Sequence, residues 1–310
     1  MAATATRRDP EVAYSVAMDD QEEDEKDITK KLREWLEKQG FPCEMQTARA
    51  FRTAGFQVRQ SFYFGSSKEQ VTREGDVLAS LSHDILSESI GRRFKSQRAI
   101  ASLEMGIVCE CKTSSAAWVM FTRPAQGHED VLARLERAAT EAGTDLIQGA
   151  AMMMDAEKEF DFFKSRVRVG YHLRQSHKGG KDAGSDAAYK AAMQVLDAAQ
   201  AVLKQSLSTW AVTWRPCRIV VPVIVLQAPL FECYLDDAGE MQLTPAEWLP
   251  LFWDNPLVPD RPYAVIDVVT LEALPQYIES VRQVFENLRD RHEDAIIEAC
   301  TSSHEGDGEA

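Results

Sequence analysis

No stretch of this chain approaches the roughly 18 uninterrupted apolar residues that a membrane-spanning helix needs. The opening MAATATRRDPEVAYS also lacks the apolar centre of a secretory signal, so the expected location is the cytoplasm, away from any membrane. There is no CxxC pair and no compact cysteine framework. The six cysteines (Cys43, Cys109, Cys111, Cys217, Cys233 and Cys300) are scattered, and the expectation is reduced, buried small side chains. A glycine-rich phosphate loop, GxSxG and HExxH are missing too, which leaves a small-molecule enzyme on another α/β fold without support. Positive charge is also short: 49 acidic against 35 basic residues give a net charge of −14. A polyanion would be repelled unless the cations are gathered locally.

What is present is ample material for a core. The 310 residues are 45% hydrophobic and 27% charged, the balance of a soluble globular protein. Much of the acidic excess lies at the ends, in DDQEEDEKD (19–27) and SSHEGDGEA (302–310). Segments 1–26 and 291–310 are therefore expected to be disordered tails around one domain, 27–290, with insertions near 81–102 and 150–185.

The pattern of apolar residues orders the elements. Ile28, Leu32, Trp35 and Leu36 mark a helix that Gly40 ends; Phe41, Met45, Ala48 and Phe51 mark a second, stopped by Gly55. Glu44 falls in the first turn of that second helix, where a carboxylate helps the helix dipole. Strands are expected at Phe56–Phe64, Val71–Ser80 and Gly106–Thr113. Period-two alternation puts Glu74, Asp76 and Leu78 on one face of the second strand, and Val108, Glu110 and Lys112 on one face of the third. Taken alone, an E-x-K triplet is a common accident, and Glu110 with Lys112 reads first as a surface ion pair on an exposed strand.

Further along, EDVLARLERAATEA (129–142) predicts a helix, and Asp186–Leu207 a longer one with a stripe at Tyr189, Ala192, Met193, Leu196, Ala199, Leu203 and Leu207. RIVVPVIVLQ (218–227) predicts a strand covered on both faces. A hairpin at Phe231–Leu243, a strand at Tyr263–Thr270 and a helix from Leu271 to about Arg289, capped by Thr270, complete the pattern. His172 and His177 lie five apart, which matches no compact metal motif. GRRFKSQR (91–98) is the densest basic cluster, and Arg92, Arg93 and Lys95 are candidate phosphate contacts, with a solvated helix face as the alternative. Lys178 and Lys181, set between glycines, are candidates for a second phosphate-binding loop.

The order of a helix, a strand carrying GFxV, a strand with an internal Asp and a strand with ExK resembles the PD-(D/E)xK nuclease superfamily. The matching residues are Asp76 and Glu110-Cys111-Lys112, 34 residues apart, with Glu44 standing 11 residues before Gly55. That resemblance implies a restriction-endonuclease-like α/β core, a mixed sheet flanked by helices on both faces, here with an additional C-terminal hairpin, strand and helix. It implies Mg²⁺ or Mn²⁺ held by Asp76 and Glu110, with Glu44 as a third carboxylate. Lys112 would orient water and stabilise the transition state, and Gln194 would help position substrate. The expected activity is hydrolysis of phosphodiesters, DNA ahead of RNA. A homodimer and a protein contact through the acidic tails are compatible with it. The alternative is a catalytically silent nuclease-like domain that binds nucleic acid or a protein partner.

Overall fold

The structure is a computed structural model and describes residues 27–37, 39–65, 72–86, 99–125, 168–176, 186–204, 217–254 and 263–302. The expected tails 1–26 and 303–310, the basic cluster with Arg92, Arg93 and Lys95, the helix 129–142, His177, and the loop with Lys178 and Lys181 lie outside these residues. The chain divides into two compact units, Met1–Pro42 and Cys43–Ala310.

In the first unit, residues 27–37 form helix α1, with Lys31 and Asp27 paired one turn apart at 2.5 Å. Its stripe of Ile28, Leu32, Trp35 and Leu36 is exposed. Gly40 takes a positive φ of 87°, the left-handed stop expected of it.

The second unit is built on one ten-stranded mixed sheet. Its elements begin with α2 (Phe41–Thr53, which enters from the first unit), β1 (Gln57–Gly65), β2 (Thr72–Leu86), β3 (Ala99–Thr113), β4 (Trp118–Pro124) and β5 (Arg168–Gln175). Then come α3 (Asp186–Lys204), β6 (Cys217–Gln227), β7 (Leu230–Leu235), β8 (Met241–Ala246), β9 (Trp248–Asp254), β10 (Tyr263–Thr270), α4 (Leu274–Arg291) and α5 (Glu293–Ser302). The strand order is β1-β2-β3-β6-β10-β9-β5-β4-β7-β8. β1, β2 and β3 form an antiparallel meander, and β3, β6 and β10 run parallel at the centre.

Alternate residues of the central strands feed two separate cores. Val77, Ala79, Ile107, Cys109, Cys111, Ile219 and Val223 pack with α2, α4 and α5; Leu78, Val108, Val220, Ile224 and Leu226 pack with α3. β6 is buried from Cys217 to Leu226, as a strand covered on both faces must be.

Several expectations are corrected. β2 and β3 are each longer than read from the sequence, because Leu81 to Leu86 pairs antiparallel with Ala99 to Met105, with a register shift between Ile85 and Leu86, so both ends of the expected 81–102 connection are strand. The region 150–185 contains β5, and β4 and β9 were not foreseen. The segment after residue 290 is not simply a tail: Ile296, Ala299 and Cys300, spaced three and four apart, hold α5 against the sheet. The buried stripe of α2 is Cys43, Thr47, Ala48 and Phe51, leaving Phe41 and Met45 exposed. Tyr189 on α3 is half-exposed, and the buried stripe there is a broader alanine-rich face. α4 begins at Leu274 rather than Leu271; Thr270 Oγ1 instead accepts from the amide of Ala273 in the turn before it. No described helix is long and apolar enough to cross a membrane. All six cysteines are buried free thiols.

Candidate functional site

The β2–β3 ladder runs from Leu86 to Val77, which pairs with Cys109, and there it ends. One residue further, Asp76 no longer has a ladder partner on β3. Its carboxylate reaches across the opening, and the amide of Cys111 donates to Oδ2 at 2.6 Å. A backbone N–H that the separating strands would strand is thereby satisfied by a side chain. The acid in mid-strand has a structural task, and that task fixes it beside Glu110.

Glu110 and Lys112 stay in register with β6, opposite Ile224 and Leu226, and so face α3. Lys112 Nζ donates to Glu110 Oε1 at 2.5 Å. The Glu110 side chain is 5% exposed and that of Lys112 29%, so the cation lies outward of the acid. Gly75, just before Asp76, sits under the Phe62 ring: a Cβ there would come within 2.6 Å of it.

Glu44 comes from the other core. Cys43 and Thr47 on α2 pack on the back of β3, where the Cys111 thiol donates to Thr47 Oγ1 at 3.5 Å and is also hydrogen-bonded with the Cys43 thiol. That contact brings the first turn of α2 to the open end of the ladder. The two sulfurs shift each other in opposite directions, Cys43 down and Cys111 up.

The electrostatics confirm the proximity of the acids. Burial, then the charges of Asp76 and Glu74, push Glu44 up to about 7 against the pull of Lys112. Glu110 is also pushed up to about 7, by burial first and then by Asp76 and Glu44, again opposed by Lys112. Asp76 is raised by burial and Glu74, although the Cys111 amide and Lys112 hold it down. Three carboxyl groups, Glu44, Asp76 and Glu110, thus share the field of one lysine, and the surplus is negative.

The structure therefore places Asp76 beside the Glu110–Lys112 pair, with Glu44 within reach of their charges. Glu74, which shares a face with Asp76 by simple alternation, adds its charge to the same group although the sequence reading assigned it no role. Gln194 is half-buried on α3, the helix covering the Glu110 face, but makes no hydrogen bond to Asp76, Glu110 or Lys112. Arg73, two residues before Gly75, instead ties β2 to α3 through Asp197 at 3.2 Å. His172 is exposed on β5 and accepts from Arg174 at 2.9 Å, far from any metal role.

Among the described residues, no three His, Cys, Asp or Glu side chains form a ready-made group that could hold a metal ion. The acids feel one another's charge without converging as a closed cage. A hard cation such as Mg²⁺ does not need one, since one or two carboxylates, water and substrate oxygens commonly complete its shell.

No protein-family model matches this sequence, and neither a curated protein nor a solved structure matches it.

Proposed function

We propose that this chain is a metal-dependent nuclease that hydrolyses phosphodiester bonds, DNA ahead of RNA, with Asp76, Glu110 and Lys112 at its centre. The observation that carries the reading is the opening of the β2–β3 ladder, where Asp76 caps the Cys111 amide and lies beside the Glu110–Lys112 pair. A helix, a three-stranded meander, a helix and a parallel central strand, in that order, support a restriction-endonuclease-like core.

The donor chemistry fits Mg²⁺ or Mn²⁺. Asp76 and Glu110 supply hard oxygens, and the raised pKa of both, together with that of Glu44, is brought down by a divalent cation. Such an ion, when bound, would lower the pKa of a water and neutralise charge on the phosphate.

The chain's own residues supply the rest. Lys112, held by Glu110, donates hydrogen bonds to the attacking water and to a non-bridging phosphate oxygen as negative charge grows there. Glu44, half-exposed at the rim with a carboxyl that trades its proton near pH 7, holds or deprotonates a water. Glu110 also keeps the lysine from swinging into solvent. The basic residues Arg92, Arg93, Lys95, Lys178 and Lys181 remain candidates for phosphate contacts beyond the described residues, and Gln194 for substrate positioning.

The lack of a three-ligand group among the described residues favours one second reading, a catalytically silent nuclease-like domain that binds nucleic acid or a protein partner. One experiment separates the two. Single- and double-stranded DNA and RNA are incubated with the protein in Mg²⁺, Mn²⁺ or EDTA, beside a folded Asp76→Ala variant. Cleavage that needs metal and disappears in the variant supports the nuclease; retention of nucleic acid without cleavage supports the silent domain.

A further inference from the structure

Beyond the carboxylates, the same ends of the central strands open into a cleft of about 1030 Å³. Its origin is an interruption that two neighbouring strands share. β3 ends at Thr113 and resumes as β4 at Trp118; β6 ends at Gln227 and resumes as β7 at Leu230. The parallel pairing passes across the gap through Ser114 N to Gln227 O at 3.4 Å and Trp118 N to Pro229 O at 2.8 Å. β10 ends at the same level, where Leu271 N donates to Leu226 O at 2.8 Å. Ends of parallel strands are where open α/β sheets place their ligands.

The lining has a definite chemical character. Leu226 and Leu230 are buried at its floor, with Phe231 and Leu271 part-buried on its walls. Around them stand uncharged hydrogen-bonding side chains, Gln46, Ser114, Ser115, Gln227 and Thr270, and two exposed carboxylates, Glu247 and Glu272. Among the described residues that line the cleft there is no lysine, arginine or histidine. A phosphate would meet two like charges and no counter-charge. A flat, neutral ring with donors and acceptors on its edge would meet an apolar floor, amide and hydroxyl partners, and carboxylates able to accept from exocyclic amino groups.

Position ties the cleft to the acids. Ser114 is two residues beyond Lys112, just past the end of β3, and Gln46 two residues beyond Glu44 on α2. The cleft and the acids therefore share both backbones, so a polynucleotide with its phosphate at Lys112 has its next nucleoside within reach of the cleft.

We infer that this cleft is a nucleobase site, receiving an unstacked base next to the phosphate that is cut. The inference rests on the nuclease reading for the identity of the polymer, while the ring-binding chemistry stands on the cleft itself. Such a site selects single-stranded, frayed or distorted nucleic acid, because a base held in an intact duplex would have to leave its stack. It also gives the enzyme preference for the base beside the cut.

Free nucleosides test the cleft without catalysis. Adenosine, guanosine, cytidine, thymidine and inorganic phosphate are titrated into the full chain in EDTA, followed by chemical-shift changes or calorimetry. Ser115→Trp fills the cleft from an exposed bend and serves as the control, with its thermal unfolding compared with that of the wild type. The expected result is saturable binding of at least one nucleoside at or below about 1 mM, no phosphate binding, and at least tenfold weaker nucleoside binding in the folded variant. Absence of nucleoside binding, phosphate binding in preference to nucleosides, or unchanged binding in Ser115→Trp would each overturn the inference. The companion cleavage assay keeps the two proposals apart. Cutting without nucleoside binding removes the base site and leaves the nuclease; nucleoside binding without cutting removes the nuclease and leaves a base-binding cleft.

Discussion

Strand β3 carries two acid–base pairs on one face, six residues apart, and they are held in opposite ways. At the near end Glu104 accepts from Arg218 Nε at 2.7 Å, and Arg218 also donates to the carbonyl of Val202 at 3.0 Å. At the far end Glu110 accepts from Lys112 at 2.5 Å, but Asp76 and Glu44 share the field of the same lysine, and Glu74 adds its charge to theirs. The first pair joins β3, β6 and α3 through a largely buried guanidinium that grips a strand carboxylate and a helix carbonyl, which is the work of a structural ion pair. The second is overloaded with negative charge at the place where the ladder opens. A protein selected only for stability would have no use for that surplus, since each added carboxylate there costs folding energy.

The sharpest way to break the contrast is to remove the cation from each pair. Lys112→Ala is expected to lower cleavage by about 10²–10³-fold, measured by gel assay, with little change in melting temperature at pH 6, where Glu110 holds its proton and no buried charge is left unpaired. Arg218→Ala should do the reverse, destabilising the fold by about 3–5 kcal/mol because a largely buried partner is left unpaired, while the surviving folded protein still cuts. If both variants lose activity and stability to the same degree, the two ends of β3 do not differ in kind.

The pH dependence of stability follows from the surplus. Glu110 has a folded value of about 7 against an ordinary 4.5, so the folded state keeps a proton that the unfolded chain releases between those values. Stability without divalent metal is therefore fullest below about pH 4.5 and falls as the pH rises through about 7. Glu110→Gln should remove much of this slope and make the protein more stable than wild type at pH 8 in EDTA, by on the order of 2–3 kcal/mol. Urea unfolding at pH 5 and pH 8 checks it, and an unchanged slope would show that Glu110 ionises freely.

Glu44→Gln should give the same sign with a smaller amplitude, because its half-exposed carboxyl is partly screened by solvent. The expected kinetic sign is a shallower rise of cleavage rate between pH 6 and 8. Smallest of all is Gly75→Ala, expected to cost about 1–3 kcal/mol by displacing the Phe62 ring while the acids keep their places. A larger loss of activity than of stability would mean that the ring also sets the position of Asp76.

Much of this architecture is written in local pattern. The nearly unbroken apolar run RIVVPVIVLQ, the hairpin turn with Gly239 at φ 81°, and the helix over Asp186–Lys204 follow from short-range rules. β4 was readable as well: Trp118, Met120 and Thr122 alternate inward, but a single seven-residue strand without a hairpin partner nearby gave no means of placing it. β5 meets β4 and β9 only through long-range pairing, and α5 is a short helix that opens on two acids and buries Ile296, Ala299 and Cys300. For the site, alternation put Glu110 and Lys112 on one face and Asp76 on another strand. It could not show that the ladder ends at Val77, that the Cys111 amide needs a partner there, or that Cys43 and Thr47 seat α2 on the far side of β3 so that Glu44 arrives at the same opening. These depend on where strands part, which no spacing within one element records.

The central claim is that the surplus charge at Asp76, Glu110 and Glu44 exists to take up a divalent cation. It is tested most directly by titrating Mn²⁺ into the wild type and into Glu110→Gln at pH 8 while following thermal unfolding. Saturable stabilisation of the wild type that Glu110→Gln loses is the result this account predicts. No stabilisation of the wild type, or equal stabilisation of both, would contradict it.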